Sequence, residues 1–297
     1  MKQLKKDSNK DFNVLSLFDG MSCGQIALNR IGIKYDNYFA SEIDEHAIKV
    51  TQHNYPNTKQ VGSVVDLKGS DLPKIDLLIG GSPCQSFSNA GNGSGFYGES
   101  KMFWEYLRLL KETKPTYFLL ENVVMKKEWQ DIITESIGFE PIKINSSLVS
   151  AGHRKRLYWT NIPNIEQPKD KSILIKDIIT SEEDVEPEVW LKAKNTYLMY
   201  NKIDFTGCPK LASIDIYNKK YKTDDKVPTL TLPHHNSLRL WQNGRIRKFT
   251  ANELEAIQTM PKDYTNVNLT LNQRHKILGN GWTVDVIAHI FKNIPLT

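Results

Sequence analysis

Cysteine is scarce in this chain of 297 residues: Cys23, Cys84 and Cys208 are the whole complement. Three cysteines spaced so widely do not form a disulfide framework. No CxxC or HExxH string occurs, so no zinc-ligand spacing is present and no metal is expected. The balance points to a reducing compartment, where any special cysteine is catalytic. Long apolar runs are also missing, so no segment reads as a membrane span. Residues Met1 to Phe12 carry Lys2, Lys5, Lys6 and Lys10 but no apolar h-region, and read as a frayed tail rather than a secretory signal. There is no internal repeat and no low-complexity tract. What remains is ordinary for a globular chain, with 39% hydrophobic and 25% charged residues. The length fits one large domain, with or without a smaller lobe. The net charge of +5 and a pI near 8.8 are compatible with nucleic acid but do not single it out.

From Asn13 to about Pro163, short apolar runs alternate with amphipathic stretches. Val14 to Phe18 reads as a buried strand, followed by a Gly-containing turn and a helix through Ile26, Ala27, Leu28 and Ile31. Tyr38 to Ser41 is a second strand, with a helix through Ala47 and Val50 after it. Ile75 to Ile79 is another strand, ending in Gly80-Gly81. Phe103 to Lys111 reads as a helix, Tyr117 to Leu120 as a strand and Trp129 to Ile137 as a helix. This rhythm predicts a mostly parallel α/β sheet with helices on both faces. Ligands of such sheets sit at the carboxyl ends of the strands. From about Asn164 to Gly244 the rhythm breaks, which fits a small irregular second lobe or, alternatively, loops inserted into one domain. Regular structure returns after Arg245. Thr250 and Glu253 have capping-box spacing before a helix over Ala251 to Gln258, and Val284 to Ile290 has helical periodicity.

The residues with chemistry lie at predicted strand tips. The first strand runs into Phe18-Asp19-Gly20-Met21-Ser22-Cys23-Gly24, where glycines let the backbone approach a ligand at a helix N-terminus. That turn lacks the GxGxxG of dinucleotide enzymes, and it also fits a Gly-rich turn with no ligand. Glu42 ends the second strand, where a carboxylate can accept from two ribose hydroxyls; Ile43 beside it can pack on an adenine face. Together they favour a nucleoside cofactor. Cys84 follows Gly80-Gly81-Ser82-Pro83 just past a strand end, stiffened by proline, where a thiolate could attack a ligand. Cys23 and Cys208 lack such a setting and read as structural. Glu121 ends the next strand in Glu121-Asn122-Val123 and can act as acid or hydrogen-bond partner. In His153-Arg154-Lys155-Arg156, alternation on a strand would point Arg154 and Arg156 the same way, towards phosphate or a carbonyl oxygen.

The sequence resembles the C5-cytosine DNA methyltransferase family, and within it the compact catalytic domains of the vertebrate de novo branch and similar phage and bacterial enzymes. The matching blocks are Leu17-Phe18-Asp19-Gly20, Ser41-Glu42, Gly80 to Cys84, Glu121-Asn122-Val123, Arg154-Lys155-Arg156, Arg247 through Pro261, and Leu278-Gly279-Asn280-Gly281-Trp282-Thr283-Val284. They occur in the family's order and cover both ends of the chain.

The resemblance implies a Rossmann-like S-adenosylmethionine-dependent methyltransferase sheet with a small irregular target-recognition lobe. On that basis residues 1–163 plus 270–297 form the catalytic domain and 164–269 the lobe. The resemblance also implies a DNA (cytosine-5-)-methyltransferase that takes methyl from S-adenosyl-L-methionine and flips its base out of double-stranded DNA. Cys84 would be the nucleophile at C6, Glu121 the contact to N3, Arg156 the neighbour of O2 and Arg154 a support for the cysteine loop. Cofactor contacts would come from Phe18, Asp19, Gly20, Met21, Ser22, Cys23, Glu42, Ile43, Ser63, Val64, Met102, Asn280, Gly281 and Trp282. Ser63 stands where the family usually has an Asp for the adenine amino group, unless Asp66 reaches in. The Gly-, Asn- and Ser-rich segment 86–99 would be a mobile cover. Lys219, Lys220, Lys222, Arg239, Arg245 and Arg247 are candidates for phosphate contacts, and His234, His235 and Asn236 for the groove.

The expected setting is the cytoplasm of a bacterial or phage-infected cell, with companion restriction or defence components possible. A tRNA methyltransferase of the same family is the nearest rival reading, but its Cys-Phe-Thr signature is missing. A catalytically dead DNA-binding relative is disfavoured by the joint presence of Cys84, Glu121, Arg154 and Arg156.

Overall fold

The computed structural model describes residues 12–83, 102–191, 201–216, 218–233 and 238–295. Cys84, the 86–99 segment, the amino-terminal tail and His234 to Asn236 lie outside the described residues. A seven-stranded sheet organises the chain: β1 (Asn13–Leu17), β2 (Asn37–Ser41), β3 (Lys59–Gln60), β4 (Leu77–Gly81), β5 (Tyr117–Val123), β6 (Ile142–Asn145) and β7 (Lys155–Thr160). Their spatial order is β3-β2-β1-β4-β5-β7-β6. The first five run parallel, and β7 lies antiparallel between β5 and β6.

The central strands β1, β4 and β5 are mostly apolar because both faces of the sheet are covered there. Side chains alternate between the two cores, as a period of two requires. Val14, Leu77, Ile79 and Leu119 face one cluster, and Leu15, Leu17, Leu78 and Leu120 the other. The first cluster lies under helices α1 (Cys23–Ile31) and α2 (Glu45–Asn54), together with α6 (Leu271–Asn280) and α7 (Val284–Phe291). The second lies under α3 (Met102–Thr113) and α4 (Lys127–Ile137). Each fully buried Leu, Ile or Phe contributes about 1.5–3 kcal/mol relative to exposure. Asp44 caps α2 by accepting from the His46 and Ala47 amides.

The segment expected to form a second lobe is more regular than its sequence pattern implied. It contains a four-stranded antiparallel sheet of β8 (Leu211–Asp215), β9 (Lys220–Tyr221), β10 (Arg239–Gln242) and β11 (Arg245–Arg247), ordered β11-β10-β8-β9. Asn243 and Gly244, both at positive φ, form the β10–β11 turn, the pairing a tight hairpin favours. The lobe's own cluster is small, built on Ile203, Ile214 and Ile216. Phe249, Leu254, Ile257, Met260 and Tyr264 belong instead to the large core. They flank or lie on α5 (Ala251–Ile257), whose capping box of Thr250 and Glu253 forms as expected. Among the described residues, no helix is long and apolar enough to cross a membrane.

Candidate active site

The tip of β1 is a strained turn. Phe18, Gly20 and Ser22 all take positive φ, at 55°, 59° and 60°, so the strand ends at Leu17 rather than Phe18. For Phe18 and Ser22 this conformation is disfavoured and must be held by its surroundings. Asp19 does the holding. Its carboxylate accepts from the Tyr38 hydroxyl at 2.8 Å and from the Ser22 hydroxyl. Burial pushes its pKa up to about 6, against the opposing hydrogen bonds from Ser16, Ser22 and Tyr38. Tyr264 donates to the Met21 carbonyl at 2.8 Å. The Cys23 thiol, also buried, is pushed up to about 12 by desolvation, which fits a structural cysteine. The side chains of Met21, Ser22 and Cys23 are therefore packed inward, which leaves the half-buried Phe18 ring and the backbone at Gly20 to meet a ligand.

Glu42, at the tip of β2, ties this turn to the next. Its Oε2 accepts from Gly20 N at 2.7 Å, and its Oε1 accepts from the Ile43 and Asp44 amides at 2.7 and 2.8 Å. Ile43 is 75% exposed and Val65 56% exposed, large apolar side chains with nothing over them among the described residues. The Ser63 hydroxyl accepts from Val65 N at 3.3 Å, and the Val64 carbonyl accepts from Arg108 at 2.9 Å. Met102 is half-buried at the start of α3.

The second half of the site is built on β4, β5 and β7. Register places Gly81 beside Glu121 and Glu121 beside Tyr158. Arg156 Nε lies 2.8 Å from Glu121 Oε1. The Trp282 indole N–H donates to Glu121 Oε2 at 3.0 Å. Gly81 makes room for the pair: a Cβ there would fall 2.9 Å from both Glu121 Oε2 and Trp282 Nε1. Asn122 Nδ2 donates to the Ser82 hydroxyl at 3.1 Å, which pins the turn leading to Pro83 and Cys84. That link escaped the sequence reading, although its residues flank two of the motifs.

Arg154 and Arg156 do not act as a pair. Arg154 precedes β7, is 8% exposed, and donates to the carbonyls of Leu230 at 3.0 Å and Gly279 at 3.2 Å. It clamps the lobe to the end of α6. Asn280 is exposed and Gly281 buried at the close of that helix.

Arg247 departs from expectation: it is not a phosphate contact. Its guanidinium is fully buried and grips both oxygens of Glu253, at 2.8 and 2.6 Å. Arg245 pairs with Glu182 at 3.1 Å and lies over the Trp190 ring. Lys222 pairs with Asp224 at 3.3 Å.

The fold and site together define a doubly wound α/β domain that can hold a nucleoside at the tips of its first strands, beside a buried carboxylate fork. The chain belongs to the C-5 cytosine-specific DNA methylase family, whose model matches residues 12–135 and 141–295. It is 33% identical over 220 residues, 72% of this chain and 41% of the relative, to the orphan methyltransferase M.Rho11sI of Bacillus phage rho11s. It is 26% identical over 310 residues to the Type II methyltransferase M.Bsp6I of Bacillus sp. (strain RFL6), covering 95% of this chain and 98% of that one. The chain spans about two fifths of the length of the Bacillus phage relatives it matches. Among solved structures, the methyltransferase EhMeth of Entamoeba histolytica shares the fold, with a TM-score of 0.69 at 18% identity, covering 97% of this chain and all of its own.

Proposed function

We propose that this chain transfers a methyl group from S-adenosylmethionine to C5 of a cytosine flipped out of duplex DNA. The observation that carries the reading is the Glu121 fork. A carboxylate has about four lone-pair sites, and among the described residues Arg156 and Trp282 occupy two of them. The two that remain match the two donors of a cytosine edge protonated at N3, namely N3–H and the N4 amino group.

The residues present fit the cofactor. The backbone from Phe18 to Gly20 would take its polar end. Glu42, with three amides already on its carboxylate, would offer its remaining acceptor site to a ribose hydroxyl, and the uncovered Ile43 and Val65 would meet the adenine ring. Val64, Ser63, Met102 and Trp282 would complete the walls. When bound, S-adenosylmethionine supplies the electrophilic methyl group that C5 receives.

The chain's own residues prepare the base. The Cys84 thiolate adds to C6, and N3 takes a proton from water; the C5 proton lost at the end returns to water. Electron density moves to C5, and Glu121 holds the N3–H so that negative charge does not build on the ring. Arg156 lies on the O2 side. Loss of the C5 proton and expulsion of Cys84 then restore the aromatic ring. Asn122, through Ser82, holds the turn from which Cys84 is presented.

The DNA backbone would run between the lobe and α6. There a groove of about 600 Å³ is lined by His46, Arg239, Lys248, His275 and Lys276, the last paired with Asp44 at 2.7 Å. Counterion release makes such a groove favour phosphate. The recognition lobe, proposed over 164–269, shares the large core through Ile175, Val227, Leu230, Leu238 and Leu240 as well as Phe249 and Leu254. The site of action is the cytoplasm of a bacterial or phage-infected cell. The Type II name of one relative supports a restriction-modification setting.

The test is expression in a host lacking cytosine methylation, followed by bisulfite sequencing of host DNA. Protected cytosines in one repeated context are expected, and none with Cys84→Ala, which should still bind S-adenosylhomocysteine. Complete conversion with soluble wild type, together with methylation of tRNA, would replace DNA by RNA as substrate.

A further inference from the structure

Trp282 was expected to be a cofactor contact, yet its one polar atom points elsewhere. An indole has a single N–H and no acceptor. That donor goes to Glu121 Oε2 at 3.0 Å, across 161 residues of chain. Two further observations show that the contact is built rather than incidental. Gly81 leaves just the space the pair needs, since any Cβ there would strike both atoms at 2.9 Å. The Trp282 ring also packs against the cluster that holds Met21 and Cys23. Next to it, a Cβ on Gly281 would lie 2.6 Å from Met21 Cε. One residue therefore touches the turn expected to hold the nucleoside and the carboxylate expected to hold the base.

We propose that Trp282 is a positioning residue for Glu121, fixing the carboxylate with its indole N–H and coupling occupancy of the β1–α1 turn to the geometry of the base pocket. The inference rests on reading Glu121 as the base-facing group. Arg156 alone holds one oxygen, which leaves the carboxylate able to rotate about its last torsion. With the indole on the other oxygen, that torsion is fixed, and the two remaining lone pairs keep one direction. Ordering the β1–α1 turn around a bound nucleoside would order Trp282, and through it Glu121, before a base arrives.

Trp282→Phe keeps a ring and removes the N–H. The expected result is a fall in kcat of about tenfold to a hundredfold, the range for losing a hydrogen bond to a charged group. The Kd for S-adenosylhomocysteine, measured by calorimetry, should stay within about twofold. An unchanged kcat would overturn the proposal. So would a fall matched by an equal loss of S-adenosylhomocysteine affinity, because Trp282 would then be a cofactor contact only.

A second measurement needs no activity. In protein labelled with ¹⁵N-tryptophan, the Trp282 indole signal is the one that Trp282→Phe removes. It should move in Glu121→Ala and again when S-adenosylhomocysteine binds wild type. A signal indifferent to Glu121→Ala would overturn the proposal. A wild type that methylates no cytosine would defeat the functional reading instead, and this signal would still decide the role of Trp282.

Discussion

Replacing Arg247 with Met separates architecture from DNA contact at a residue whose charge suggested the latter. The guanidinium is 0% exposed and the Glu253 side chain 1%. Arg247 also donates to Gln242 Oε1 at 2.7 Å and to the Lys248 carbonyl at 3.0 Å. Glu253 in turn accepts from the Thr250 and Thr180 amides. Removing Arg247 leaves Glu253 as a buried charge with amide donors only, and such a loss costs about 3–5 kcal/mol. For a chain of this size that is a drop in Tm on the order of 10 °C. The double variant Arg247→Met with Glu253→Gln should recover a large part of it, because the stranded charge goes with its partner. Differential scanning fluorimetry reads both variants. The salt slope of DNA binding, taken at a temperature where Arg247→Met is folded, should be unchanged. A Tm within 2 °C of wild type, with a shallower salt slope, would refute the reasoning and return Arg247 to the phosphate contacts.

Three further outcomes follow from the same geometry. Glu121→Gln should retain the fold and slow single-turnover methylation by about a hundredfold, since the amide offers one acceptor where the base edge needs two; an unchanged rate would place N3 activation elsewhere. Lys248→Glu should weaken DNA binding alike on all sequences and flatten the slope of log K against log salt by about one unit, whereas a sequence-selective loss would make Lys248 a base contact. Asp19→Asn should gain stability relative to wild type between pH 4 and pH 7. The folded-state pKa is raised from 3.8 to about 6, so the Asp19 contribution is fully present below pH 4 and lost as pH rises through 6, a difference of about 2–3 kcal/mol that Asn does not incur. A difference in Tm between the two proteins that stays constant with pH would show that Asp19 does not carry this burden.

The strand tips were legible because the physics there is local. A buried parallel strand must be apolar, and the turn that follows must carry glycine or a capping group, so Leu17 to Gly24, Ser41-Glu42 and Gly80 to Pro83 can be recognised from short strings. The capping box at Thr250 and the apolar helix from Val284 are local for the same reason. Pairing is not local. Nothing within Lys155 to Thr160 says that this strand slots antiparallel between β5 and β6. Helix α6 was missed because its polar run Asn272-Gln273-Arg274-His275-Lys276 dilutes the apolar period, and its stability comes from the Thr270 cap and the packing of Ile277 and Leu278. Arg247 misled for a simpler reason. A charge carries no sign of burial in the sequence, and the Glu253 that neutralises it was already assigned to a helix cap.

The arrangement of the site explains why its residues should not act independently. Glu121 holds its place through a donor from β7, a donor from the turn after α6 and the space above Gly81 on β4. The turn before Cys84 is held through Asn122, the next residue on the same strand as Glu121. A displacement of β5 therefore moves the carboxylate proposed to face the base and the turn before the proposed nucleophile together. Arg154 extends this unit, because it binds Leu230 of the lobe and Gly279 at the end of α6, two residues before Gly281 and three before Trp282. Contacts on the lobe that shift Leu230 would reach Glu121 through Arg154, Gly279 and Trp282, all of which are buried or half-buried and close-packed. Substitutions along that line should consequently give less than the sum of their separate effects on rate, since each releases the same carboxylate.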